Sequence, residues 1–137
     1  MEARASALVG AHFAGTALGQ VAMGLHHKLC HVLGGSFGLP HALTHAIVLP
    51  HVVRFNTDAA PDAMRVVASA LGAPNAADGL LALNRRLGLP RSLGAIGVRR
   101  EDIDRAADLV AGAGTYTNPR PVTSADAQRI LVEAFAV

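Results

Sequence analysis

Apolar residues recur at steps of three and four along most of this chain, and no period-two alternation persists. That pattern predicts helices throughout. A first helical region covers about residues 3–32, with an adjustment at Gly24, and the run GGSFG at 34–38 reads as a loop. Pro40 suits the first turn of a second helix over about 40–56, where Pro50 predicts a kink or an end. Asn56 to Pro61 reads as a turn. Two more helices follow, over about 61–72 (closed by Gly72 before Pro74) and 75–87 (closed by Gly88 before Pro90). Residues 88–98 form a connection. Another helix opens near Arg100, with Glu101, Asp102 and Asp104 in its first turn, where the helix dipole favours anions. Residues 112–122 read as a long loop, after which Thr123 caps a last helix with Asp126 at the capping-box position.

Composition sharpens this picture. Of 137 residues 51% are hydrophobic, yet only 4% are aromatic and none is tryptophan. A core of Ala, Leu and Val side chains suits closely packed helices, so the fold class is all-α, a helical bundle in a single domain over 1–137. Cys30 is the only cysteine and cannot form an intrachain disulfide, so nothing requires an oxidising compartment. The N-terminus, with Glu2 and Arg4, has no secretory-signal pattern, and the expected location is cytoplasmic. Residues 5–27 carry no formal charge and include the small pair Gly15 and Gly19, but Ser6, His12, Thr16, Gln20, His26 and His27 interrupt them. We read a buried helix approached closely by another, not a membrane span. The net charge is only +2, and the arginines are scattered apart from Arg85–Arg86 and Arg99–Arg100, so no nucleic-acid partner is expected.

Histidine placement changes the picture most. Six of the seven histidines and the lone lysine lie within GLHHKLCHVLGGSFGLPHALTHAIVLPHV, residues 24–52. His27 and His31 are four apart, and so are His41 and His45, so each pair shares a helix face. A glycine turn between the two helices could bring the faces together. Imidazole is the common biological metal ligand and the common acid or base near neutral pH. No acidic residue lies between Glu2 and Asp58. A metal here would need an all-histidine shell or a carboxylate from elsewhere. The same absence, with Lys28 and Arg54 nearby, suits a small anionic substrate. His27, His31 and His41 therefore read as a site, whereas His12, His26 and His51 read as hydrogen-bonded core residues or caps. Cys30 reads as a small core residue. Gly34, Gly35 and Gly38 follow no phosphate-loop pattern and read as the turn.

The run GLHHKLCHVLGGSFGLPHALTHAIVLPHVVRFN resembles the signature of the iron-containing alcohol dehydrogenase family, through its His-x3-His-x9-His pattern (His27, His31, His41) and the Leu-Pro-His step at 49–51. The wording HHKLCH and GGSFGLPH, with TYTNPRPV later, is similar to that family's maleylacetate reductase branch, which acts in aromatic-compound degradation. The resemblance covers essentially the whole chain. It implies the all-helical C-terminal domain of proteins that also carry an N-terminal α/β domain for NAD(P)H, a fold shared with dehydroquinate synthase-like proteins. It implies metal ligands (Fe or Zn) at His27 and His41, completed in metal-dependent members by an earlier Asp-x3-His helix that this chain lacks. It places His31 near the nicotinamide and substrate, and it makes Lys28 a holder of the substrate carboxylate. Catalytic candidates are thus His27, His31 and Lys28; substrate-binding candidates are Lys28, His31 and His41.

No dinucleotide-binding motif accompanies these residues, so the chain alone is not expected to be a competent dehydrogenase. Three readings follow. The first is the substrate half of an NAD(P)H-dependent reductase whose nucleotide half is a separate subunit, the reaction being maleylacetate to 3-oxoadipate. The second is a stand-alone, non-redox acid–base enzyme (isomerase, hydratase or cyclase) on an oxo-acid or phenol-derived anion, self-associated over its exposed apolar face. The third is a non-catalytic fragment or binding scaffold.

Overall fold

The structure, a computed structural model, describes residues 2–112 and 117–136. Residues 113–116 of the expected 112–122 loop lie outside the described residues. Among the described residues every regular element is helical: α1 (Glu2–Leu18), α2 (Leu25–Phe37), α3 (His41–Asn56), α4 (Pro61–Leu71), α5 (Ala76–Arg86), α6 (Asp102–Gly112) and α7 (Ser124–Phe135), with short 3-10 turns at Thr57–Ala59 and Gly94–Ile96.

Four helices close the core. From α2 come Leu25, Leu29 and Leu33 at four-residue steps; from α3, Ile47, Val48 and Val52; from α6, Ile103, Ala106 and Val110; from α7, Ala127, Ile130 and Leu131. Leu93 in the α5–α6 connection is fully buried among them, and its N–H donates to the Ala134 carbonyl at 2.9 Å. These are the small aliphatic side chains that the composition predicts. At α7 the Asp126 N–H donates to Thr123 Oγ1 at 3.1 Å and the Thr123 N–H to Asp126 Oδ2 at 3.0 Å, the reciprocal capping box expected from sequence.

Helices α4 and α5 form a hairpin held to the core through α3. The stretch Pro61–Arg86 is apolar enough for a membrane span. However, Gly72, at φ 60°, ends α4, and each helix has 11 residues, roughly 16 Å, about half a bilayer core.

Several expectations change. The first helical region is two helices, because residues 19–24 leave helical geometry. α1 is not a buried helix: none of its residues is buried, and Leu8 and Phe13 are 72% and 67% exposed. The GGSFG run is not a loop either. α2 continues through Gly34 and Gly35 to Phe37, and only Gly38 turns the chain, in the left-handed conformation at φ 66° with its N–H on the Gly34 carbonyl. Pro40 then serves as the N-cap of α3 rather than its first residue. Of the kink or end expected at Pro50, the end does not occur, and α3 runs through it to Asn56. Proline there leaves the Ala46 carbonyl without its helical donor, and Asn84 Nδ2 on α5 supplies one at 2.6 Å.

Candidate functional site

The tight turn at Gly38–Pro40 lays α2 against α3, and this places five histidines on one surface. Four of them close a ring of neighbours. His27 and His31 lie 6.2 Å apart between ring centres, His31 and His41 6.3 Å, His41 and His45 4.3 Å, and His45 and His27 5.0 Å. His26 lies beside this ring, 4.7 Å from His45, and its Nε2 is 3.2 Å from the His45 carbonyl. His31 and His41 are solvent-exposed, His26, His27 and His45 half-buried. Lys28, three residues before His31 and on a neighbouring line of α2, is half-buried; no ion pair engages its ammonium among the described residues.

The cluster is electrostatically one-sided. No carboxylate pairs with it among the described residues. Burial is the main force holding His45 down, to about 4, with His26, His41, His27 and His31 adding repulsion. Burial also lowers His27, helped by His31 and His41, and lowers His26 against the opposing hydrogen bond to His45. These rings are therefore neutral near pH 7, each with a lone pair free to take a proton or a metal.

The sequence-predicted residues His27, His31 and His41 are brought together, and Lys28 borders them. Sequence reasoning paired His45 with His41 on one helix face and read His26 as a hydrogen-bonded core residue or cap, but counted neither among the site residues. His45 Nε2 is buried with no hydrogen-bond partner. His26, Cys30 and His45 bring one donor atom each within 4.8 Å of one another. Burial pushes the Cys30 thiol up to about 12, so without a metal it stays protonated. His26 behaves as the hydrogen-bonded core residue expected. His12 stands exposed on α1, its ring tilted against Phe13, and is neither core nor cap. His51 is buried on another part of α3, yet both its ring nitrogens lack partners, against the expectation of a satisfied core histidine.

Residues 1–135 match the model of the Fe-containing alcohol dehydrogenase family, C-terminal. The chain belongs to the iron-containing alcohol dehydrogenase family. Over 131 residues it is 52% identical to maleylacetate reductase of Burkholderia cepacia, covering 96% of this chain and 37% of that protein. Maleylacetate reductase 1 of Cupriavidus pinatubonensis is 50% identical, covering 98% of this chain and 38% of the relative. The crystal structure of maleylacetate reductase from Rhizobium sp. strain MTP-10005 superposes with a TM-score of 0.91 at 47% identity, over 98% of this chain and 38% of that one. The chain thus spans less than two-fifths of the length of these relatives, and its all-helical architecture is that of the C-terminal part of the iron-containing alcohol dehydrogenases.

The family is named for iron, and the donor set fits that in part. Neutral imidazoles such as His27 suit first-row divalent metals, and His27 and His41 flank His31 on one accessible face. Two imidazoles do not complete a shell, and among the described residues no carboxylate pairs with them to add an oxygen ligand.

Proposed function

We propose that this chain is the substrate side and catalytic-histidine half of a maleylacetate reductase-like oxidoreductase that takes NAD(P)H on a nucleotide-binding half outside these 137 residues. The observation that carries the reading is the ring of His27, His31, His41 and His45 beside Lys28, cationic or neutral throughout and free of carboxylates. An anionic oxo-acid meets no repulsion there. Lys28 holds a substrate carboxylate, His31 exchanges a proton with the reacting carbon framework, and His27 and His41 hold a divalent metal where one is used. The nicotinamide supplies hydride, which this chain cannot.

Two features support the need for a second half. The chain covers under two-fifths of its reductase relatives. Helix α1 offers Leu8, Val9 and Phe13 to solvent, and an unpacked apolar helix is better explained as one face of an interface. A separate subunit is one place for that half, and the working enzyme is then a hetero-oligomer.

The test is a chimera in which this chain replaces the matched segment of the Burkholderia cepacia enzyme. Maleylacetate-dependent NADH oxidation is the expected result. A folded chimera that binds NADH but reduces nothing overturns the reductase reading. Co-purification of a nucleotide-binding chain from the source cells tests the two-subunit arrangement separately; its failure leaves the chimera result standing.

A further inference from the structure

His51 is 4% exposed, and neither ring nitrogen has a hydrogen-bond partner. Buried polar atoms are rarely left so, and each one calls for a reason. Its nearest carboxylate contact, Nδ1 to Glu133 Oε2, is 3.8 Å, an ion-pair distance beyond hydrogen-bond length. The imidazole borders a cavity of about 290 Å³ set between α3, α5, α7 and the α5–α6 connection, into which Arg54, Arg85, Arg91 and Asn84 also project. A second cavity of about 210 Å³ shares His51, Arg54 and Glu133 and adds Arg120 and Arg129.

Five arginines thus line the two cavities beside His51, against two carboxylates, Glu133 on both and Asp58 on the second. Arg54 has Asp78 and Arg129 has Asp126 as ion-pair partners; neither Arg85 nor Arg91 has one among the described residues. The first cavity holds many times a water's share of liquid, ~30 Å³. Three planar guanidinium forks from three elements suit an oxyanion, which accepts two parallel N–H bonds from each. His51 lies six residues beyond His45, roughly 120° around α3, so this pocket faces away from the histidine ring.

We propose that the His51–Arg54–Arg85–Arg91 cavity binds a small multivalent oxyanion, at a site separate from the histidine cluster. The anion takes guanidinium hydrogen bonds from the rim, above all from Arg85 and Arg91, which have no ion-pair partner among the described residues, and it seats beside the buried His51 ring. Burial, and then Arg54, hold the His51 pKa below its usual value, so an anion seated there also moves its titration upward. The proposal does not depend on the reductase reading.

The test titrates inorganic phosphate, and in a second arm succinate, into this chain at constant ionic strength, read by calorimetry and by the His51 ring-nitrogen NMR signals. Saturable binding with a dissociation constant of about 1 mM or tighter, accompanied by a shift of the His51 signals, is expected. The tighter of the two anions assigns a phosphate or a dicarboxylate. The exposed rim variants R85A and R91A, which leave the core untouched, are each expected to weaken binding about tenfold. Binding no stronger than chloride for both anions, or R85A and R91A binding at full affinity, overturns the proposal.

Discussion

Asn84 Nδ2 donates to the Ala46 carbonyl at 2.6 Å, across 38 positions of sequence. The acceptor is the group that Pro50 deprives of its helical donor, so α5 repairs α3 and the two helices are tied at the point where proline would break one of them.

Replacing Asn84 with Leu leaves a part-buried carbonyl unpaired, and the expected loss is about 1–3 kcal/mol of stability in chemical denaturation. In a P50A background the helix regains its own N–H donor, and N84L then costs markedly less. Equal costs in both backgrounds would show that Asn84 acts through packing alone.

Gly38 sets the angle between the two histidine-bearing helices through its φ of 66°. No atom crowds the position that a Cβ would occupy, so G38A isolates the backbone term. It is expected to cost ~1–2 kcal/mol, with G38N costing less because asparagine tolerates the left-handed region. A smaller loss for alanine than for asparagine overturns this account.

Much of this was legible beforehand. The Thr123–Asp126 box depends on local spacing and formed as read. The convergence of His27, His31 and His41 was also accessible, because residues four apart share a face and the chain between them had to turn. What failed depended on distant partners or on degree. Nothing near Pro50 announces Asn84. Gly34 and Gly35 are weak helix formers, yet Leu33 and Phe37 pack on the core and carry the helix past them. α1 has a buried helix's composition, but burial also needs a surface to cover it. His51 looked like a satisfied core residue because sequence shows a buried position more readily than a missing partner.

The histidine cluster makes stability depend on pH in a definite direction. His45 has a folded value of about 4 against 6.5 unfolded. Between these the unfolded chain binds the proton and the folded chain does not, so stability is full above pH ~6.5 and falls as pH drops toward 4. His26 and His27, also depressed, act in the same sense. Melting temperatures measured over this range should decline steadily, and H45N should flatten part of the slope. An unchanged slope in H45N removes His45 as its source.

Within the chimeric reductase, His31 and Lys28 have separable roles. Loss of a positioned acid or base costs ~10²–10⁴ in rate, so H31A is expected to lower kcat by that order with a smaller change in KM. K28A, losing only the carboxylate contact, should raise KM with kcat less affected. The same pattern in both variants would merge the two roles. Chelation followed by activity measurement in H27A and H41A then tells whether these imidazoles hold a metal, since the variants should no longer respond to added iron or zinc.

Helix α1 gives the last test, because its apolar residues do nothing for this chain by itself. Leu8 and Phe13 are largely exposed and touch no core residue. The double variant L8S/F13S should therefore leave the isolated chain's stability within about 0.5 kcal/mol of the original. If α1 is the face that meets a nucleotide-binding half, the same variant weakens association with that half by tenfold or more, and reductase activity falls with it at low protein concentration and recovers at high. Association unaffected by both serines would place the contact elsewhere and leave the exposure of α1 without a partner to explain it.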